Sequence, residues 1–225
     1  MPEVHEALER GGVTGGIVLS PLGCPFSPLT PERPAMPEIP HLQALPDLAA
    51  ARHGRRRWAI GLIDGPNMKH LGKRDPRLFG KIGSIEELQK LVVDFGAALG
   101  VEVRPFVSDH EGDLLEHVHA SAATTDAYLL DAGGLTTVSE GLRHAMQETH
   151  KPVVEVAFYN LIANGEISVF TPTVIGRVMG LREYSYVAGL LGLVLALDDE
   201  SFLHPDAPDS LIVRRSGQPY AFRSG

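Results

Sequence analysis

Three acidic side chains stand at or near the ends of short apolar runs in this sequence. Asp64 closes Trp58–Asp64 (WAIGLID), Asp131 follows Ala127–Leu130, and Glu155 lies within Val153–Val156. Two carboxyl groups held close together at buried strand ends raise one another's pKa, which makes one of them a general acid or base near neutral pH. That is the chemistry expected of Asp64 and Asp131. The alternative for Asp131 is a cap that accepts hydrogen bonds from the loop after it. Arg74 and Asn67 supply a cation and an amide able to polarise an oxygen or a water. Tyr159, beside Asn160, offers either an acid/base hydroxyl or a bulky wall that shapes a pocket. Glu155 shares a strand face with Ala157 by the two-residue period. A carboxylate there needs a partner, for which Arg74 or a backbone amide would serve, and it has either a supporting role or direct chemistry. His70, His110, Asp64 and Asp131 contain the donors of a mixed nitrogen–oxygen metal site. No H-x-x-x-H or comparable spacing accompanies them, so no metal is expected.

The elements that must position these residues alternate along the chain. After the first apolar run, Ile85, Leu88, Leu91, Val92, Phe95 and Leu99 recur at helical spacing until Gly100. Val101–Val107 reads as a strand, Leu114 to Ala122 as a helix, Ala127–Leu130 as a strand, and Val138 to Met146 as a helix. Val153–Val156 is the fourth strand, a fifth falls within Thr173–Leu181, and an apolar helix closes the domain over Tyr184–Leu197. Ser84-x-x-Glu87, Ser108-x-x-Glu111 and Thr137-x-x-Glu140 each have the form of a capping box ahead of a periodic run. The alternation specifies an α/β fold, a five-stranded parallel sheet with helices on both faces. In such folds ligands bind beyond the carboxyl ends of the strands. That places function near residues 64–81, 108–111, 131–137 and 157–172. There is no G-x-G-x-x-G after the first strand and no Walker A loop, so no nucleotide cofactor is expected.

Composition narrows the classes further. With 44% hydrophobic residues in 225, a sizeable core can be buried. A net charge of −8 opposes non-specific nucleic-acid binding. The single cysteine, Cys24, excludes a disulfide framework. No apolar run approaches the ~20 residues needed to cross a bilayer. The opening MPEVHEALERGG lacks the layout of a signal peptide, which makes a cytoplasmic protein the expectation. Nine of the 17 prolines fall in the first 46 residues, and those from Pro25 to Pro40 recur at every third position. As polyproline II this stretch is an extended rod of roughly 50 Å, a semi-rigid arm. Gly15–Leu19 reads as a short added strand on a neighbouring subunit, and Arg55–Arg57 as a solvated charge run.

The strand-end segments carry a resemblance. Asp64-Gly65-Pro66-Asn67, then Leu71-Gly72, then Arg74-Asp75-Pro76-Arg77-Leu78-Phe79-Gly80 resembles the opening of type II 3-dehydroquinate dehydratase, or type II dehydroquinase. That family has Asn-Gly-Pro-Asn, Leu-Gly and Arg-x-Pro-x-x-Tyr-Gly. The likeness continues through Ser108–Gly112, His119, Asp131–Thr136, Ser139, Leu142, Arg143, Pro152–Val156, Asn160, Pro172 and Gly180-Leu181. It covers residues 58–197, with 1–57 as a proline-rich extension and 198–225 as a second one. The resemblance implies a flavodoxin-like three-layer fold, a small-molecule substrate and a homo-oligomer built from trimers, commonly a dodecamer. It implies neither a nucleic-acid nor a membrane partner.

At the positions that do the family's chemistry the sequence departs from the pattern. The family's proton-abstracting tyrosine is Phe79, its general-acid histidine is Ala157, and a second histidine is Thr137. The loop between Asn160 and Pro172 is short and lacks the family's substrate-binding arginine. Asp64 and Asp131 replace asparagines. Losing a base–acid pair should leave dehydroquinate dehydration negligible. The expectation is a lyase with altered chemistry, in which Asp131, Asp64, Arg74, Glu155 and Tyr159 are catalytic. Asn67, His110, Gly133, Gly134, Thr137, Asn160 and Leu161 would bind a small cyclic or hydroxy-carbonyl metabolite. A hydrolase using the same aspartates is its neighbour, and the alternative is an inactive homologue acting as a binding or assembly protein.

Overall fold

A computed structural model describes Arg52, Gly54 and residues 56–203. The expectations for Gly15–Leu19, the Pro25–Pro40 rod, Arg55 and the chain after residue 203 lie outside the described residues. Five parallel strands form one sheet: β1 (Ala59–Asp64), β2 (Glu102–Val107), β3 (Ala127–Asp131), β4 (Val153–Ala157) and β5 (Gly176–Met179). Their order, β2-β1-β3-β4-β5, is the flavodoxin-like order. It places the topological switch point between β1 and β3, the two strands that end in Asp64 and Asp131.

A short helix α1 (Pro76–Phe79) follows β1, and four longer ones cover the sheet: α2 (Ile85–Ala98), α3 (Glu111–Ser121), α4 (Glu140–Glu148) and α5 (Tyr184–Asp198). Every residue of β1, β3 and β4 is buried, as parallel strands covered on both faces require. Alternation sorts their side chains into two cores. Ile60, Leu62, Leu129, Val154 and Val156 pack against α2 and α5, whereas Ile63, Tyr128, Leu130 and Val153 pack against α3 and α4. Asp64 and Asp131 continue the first set, so both carboxyl groups point toward the α2–α5 layer. Helix α5 approaches the sheet closely at Gly189, where a Cβ would lie 2.6 Å from Val156 and 3.1 Å from Leu129. Glycine at that position lets the first turn of α5 settle over the strand ends.

The helix starts differ from the expected capping boxes in two places. Ser84 caps α2 as expected, its Oγ accepting the Glu87 amide at 3.2 Å. Before α3, Ser108 Oγ instead accepts the His110 amide at 3.0 Å and donates to Asp113 at 2.7 Å, so the helix starts after His110. Before α4, a 3-10 turn over Gly133–Leu135 consumes the residues up to Val138. The cap therefore passes from Thr137 to Ser139, whose Oγ accepts the Leu142 amide at 3.0 Å. The fifth strand is shorter than Thr173–Leu181. Thr173 and Val174 close a turn onto the Phe170 carbonyl, and Gly180, at φ +86°, ends the strand.

At the far end of α5, Arg52 reaches Asp198 with Nε 2.7 Å and Nη2 2.8 Å from its carboxylate and donates to the Leu99 carbonyl at 2.8 Å. Trp58 Nε1 donates to the same carboxylate at 2.8 Å. Arg56 is more than a solvated charge: its guanidinium lies 4.2 Å from the Trp58 ring centroid and 2.9 Å from Asp126. No helix among the described residues is long and apolar enough to cross a membrane.

Candidate active site

Asp64 and Asp131 are register partners across the β1–β3 ladder. Both are buried, and the hydroxyl of Tyr186, itself fully buried in the first turn of α5, lies between them. Tyr186 Oη is 2.8 Å from Asp64 Oδ1 and 2.9 Å from Asp131 Oδ2. The outer oxygens are held by N–H donors: Gln89 Nε2 of α2 donates to Asp64 Oδ2 at 3.0 Å, and the Gly133 amide to Asp131 Oδ1 at 2.9 Å. Burial raises the pKa of Asp64 to about 6, against the hydrogen bonds from Gln89 and Tyr186. Burial, followed by the charge of Asp64, raises that of Asp131 to about 7. Burial and the two carboxylates push Tyr186 well above the ordinary phenol value.

Only Asp131 of this pair reaches a cavity, of about 150 Å³, at the carboxyl end of the sheet. Asp64 lies behind it. Opposite stands Arg74, in residues 65–81, the segment after β1 that forms one wall of the cavity and is termed the lid, with its guanidinium carbon 3.5 Å from the Phe79 ring centroid. Burial lowers the pKa of Arg74, and the nearby Tyr159 and Asp131 oppose that shift. Phe79 in turn packs against Phe158 at 6.0 Å and edge-on to Tyr159 at 6.2 Å. The Tyr159 hydroxyl donates to Glu166 at 2.8 Å. Burial and that carboxylate raise its pKa to about 12, so it stands as a neutral donor rather than a base. Asn67, Gly133, Gly134 and Leu161 complete the expected lining, together with Ala157 and Thr136. Asn67 sits at φ +75°, a conformation that asparagine tolerates better than most residues, and its amide donates to Asp109 at 3.1 Å. Gly133 permits the two loops to meet: a Cβ there would lie 2.3 Å from the Pro66 carbonyl oxygen.

The amides of this loop do not point at the cavity. Gly133 N–H is bound to Asp131, Gly134 N–H to Pro66, Leu135 N–H to Ala132 and Thr136 N–H to Gly133. Among the charged side chains lining the cavity, Arg74 is the cation, and it has no ion pair among the described residues.

Five of the expected site residues stand apart from the cavity lining: Asp64, buried behind Asp131, and Glu155, His110, Thr137 and Asn160. Glu155, on the opposite face of β4 from Val154 and Val156, meets neither Arg74 nor the cavity. Its partners are Arg177 Nε at 2.6 Å, directly across on β5, and Ser168 Oγ at 2.7 Å. Burial raises its pKa, against the opposing effect of these partners. His110 is exposed at the start of α3, because its strand-end loop turns away at Ser108. Thr137 is exposed in the turn before α4, one residue beyond the lining Thr136. Asn160 is exposed and accepts the Ala163 amide, capping the turn over Ile162–Asn164. His70 is also exposed, so the histidines and the buried aspartates do not converge. No group of three such side chains positioned for a metal occurs among the described residues.

Sequence reasoning passed over Tyr186, Gln89, Phe158 and Glu166. Tyr186 carried a signal: a hydroxyl on the apolar face of a buried helix needs a polar partner beneath it. Gln89 and Glu166 carried none, being ordinary polar residues in a helix and a loop.

The chain is similar in sequence and fold to known proteins. Residues 58–194 match the family model described as Dehydroquinase class II. The chain is 34% identical over 142 residues to the 3-dehydroquinate dehydratase of Nostoc sp., covering 62% of this chain and 96% of that one. It is 35% identical over 138 residues to the protein of the same name from Carboxydothermus hydrogenoformans, covering 60% and 89%. The crystal structure of type II dehydroquinase from Butyrivibrio crossotus matches with a TM-score of 0.58 at 25% identity, over 61% of this chain and 97% of that one.

Proposed function

The chain belongs to the class II dehydroquinase family, and from that premise we propose that it is a lyase whose acid–base work falls to Asp131. The observation that carries this reading is Asp131 itself: the carboxyl on the cavity wall, with a pKa of about 7, facing a guanidinium that has no ion pair among the described residues. A general base operates best when its pKa lies near the working pH. Ionised Asp131 takes a proton from a carbon next to a carbonyl. Arg74 faces the enolate oxygen that results, and Asn67 orients the carbonyl. The protonated Asp131 then gives its proton to the departing hydroxyl, so that water leaves and the carboxylate is regenerated. Asp64 acts on Asp131 from behind and does not touch the substrate. Tyr159 offers a neutral hydroxyl and a wall.

The substrate class is a small polar cyclic or hydroxy-carbonyl metabolite other than 3-dehydroquinate. Phe79 and Ala157 support this, since neither can exchange a proton at the positions where the family places tyrosine and histidine. A trimer-based oligomer is part of the same reading. So is the division into a domain over 58–197 with extensions at 1–57 and 198–225.

The experiment is direct. The protein is offered 3-dehydroquinate, and the absorbance of the conjugated product is followed; the expected rate is negligible. Robust turnover would overturn the change of substrate. Against a panel of hydroxy-carbonyl acids, Asp131→Asn should abolish whatever dehydration the wild type shows. The same two apolar replacements also favour a second reading, a binding protein without turnover. Recovery of a panel compound bound but unchanged by the wild type would select it.

A further inference from the structure

Tyr186 has one hydroxyl hydrogen and two carboxyl neighbours within hydrogen-bonding distance, at 2.8 Å and 2.9 Å. A phenol donates to only one acceptor at a time. The other contact is a hydrogen bond only when that second carboxyl is protonated and donates to Oη. If both were ionised, a carboxylate lone pair would face the lone pair of a fully buried phenol, an unmet acceptor of the costly kind. The location of the additional hydrogen follows from the other contacts. Asp64 Oδ2 and Asp131 Oδ1 already accept N–H donors from Gln89 and Gly133, which leaves the line Asp64 Oδ1–Tyr186 Oη–Asp131 Oδ2.

We propose that Tyr186 is a positioning residue that holds one proton in common between Asp64 and Asp131, so that the pair carries a single negative charge available at either carboxyl. In one arrangement Asp64 is protonated and donates to Oη, Tyr186 donates to Asp131, and Asp131 is the carboxylate. In the other both hydrogens have shifted along the line: two O–H bonds break, two form, and Asp131 is the acid. No proton enters or leaves. Joined to the reading of Asp131 as the acid–base group, on which this consequence rests, the relay presents that side chain in either form without admitting water behind the sheet.

The charges around the line bias it in a definite way. From the lid, Arg74 faces Asp131 and favours the charge there. Glu155 on β4 opposes that bias at longer range, and Tyr159 remains a neutral phenol. On the Asp64 side, α2 contributes only the neutral amide of Gln89, and α5 only Tyr186. Neither arrangement is locked by a salt bridge, as a shared proton requires.

The test uses the full chain with carboxyl-carbon-labelled aspartate, followed by NMR against pH. In the wild type the Asp64 and Asp131 signals should titrate together, each in two steps. In Asp64→Asn the Asp131 signal should show one step, with proton affinity reduced at least tenfold, because the neighbouring charge is gone. In Tyr186→Phe the retained proton should be held at least tenfold more tightly, because the carboxylates lose their donor. Independent single-step curves in the wild type, or a Tyr186→Phe curve superimposed on it, would overturn the proposal. Should Tyr186→Phe not fold, Asp64→Asn decides: an Asp131 curve unchanged from the wild type overturns the sharing. The lyase reading is judged separately by turnover of Asp131→Asn. Joint titration with unaffected turnover removes that reading and leaves the shared proton standing, whereas independent titration with lost turnover does the reverse.

Discussion

Arg74 sits over the ring of Phe79, with 3.5 Å between the guanidinium carbon and the ring centroid. The contact joins a cation of the cavity wall to the ring that, in the reading proposed above, stands where the family has its tyrosine. A guanidinium over an aromatic face is attracted by the ring quadrupole. Phe79 thus holds Arg74 at the cavity although it cannot exchange a proton.

If the missing hydroxyl and imidazole are what exclude dehydroquinate chemistry, restoring them should restore some of it. Phe79→Tyr with Ala157→His is expected to raise 3-dehydroquinate dehydration over the wild type by ~10² or more, since each acid–base group typically contributes 10²–10⁴. The absorbance of the product measures it. No gain from the double substitution would show that the cavity rejects this substrate for reasons other than those two positions.

The buried aspartates also set a pH dependence of stability. Their folded pKa values, about 6 and about 7, lie above the ordinary 3.8. The folded state therefore binds more protons than the unfolded state between these limits. The stability these two groups contribute is full below about pH 4, falls as pH rises toward 7, and is level above, a loss on the order of 3 kcal/mol for a group shifted this far. Urea midpoints at about pH 5 and about pH 7.5 should differ less in Asp64→Asn than in the wild type. An equal drop in both would refute the assignment.

The ion pair between Glu155 and Arg177 is structural. Arg177→Met leaves a buried carboxylate without its cation, a change that costs about 3–5 kcal/mol. Without the guanidinium the pKa of Glu155 rises further, so the deficit should be larger at neutral pH than near pH 5. Thermal melts at the two pH values check both the size and the sign.

Trp58 is the chain's single tryptophan, and its indole N–H donates to Asp198. Asp198→Ala removes the acceptor for both Trp58 and Arg52, side chains that meet at the end of α5 far from the cavity. The expected result is a red-shifted emission and a loss of about 1–3 kcal/mol, the range for charge-assisted hydrogen bonds. Unchanged emission would mean that the indole does not depend on this carboxylate.

The strands and their order of service were legible because the apolar runs are short, the helical runs periodic, and the breaks marked by glycine. Positions 64 and 131 could be placed side by side because parallel strands deliver their carboxyl ends together, but which of the two reaches the cavity could not be read from that. The starts of α3 and α4 were less legible. Ser108 and Thr137 satisfy a spacing rule that neighbouring serine and backbone groups satisfy better once the turns are formed. Glu155 illustrates the other gap. Its partner comes from β5, 22 residues on, and only the β4–β5 register brings Arg177 opposite. Tyr186 depended on both gaps at once: the rotation of α5 and the close approach at Gly189 decide which of its residues hangs over the sheet.

The loop at Gly133–Thr136 spends its amides on Asp131, on Pro66 and on its own turn. In the reading proposed above, an anion formed in the cavity would meet none of these four amides and would depend on Arg74, a side chain carried on residues 65–81. Fixed dipoles need no rearrangement as charge develops, whereas a lid must arrive and depart. The tempo of such a catalyst would be set by the opening and closing of residues 65–81. An enolate mimic would be held by a slow off-rate, released only when Arg74 swings away.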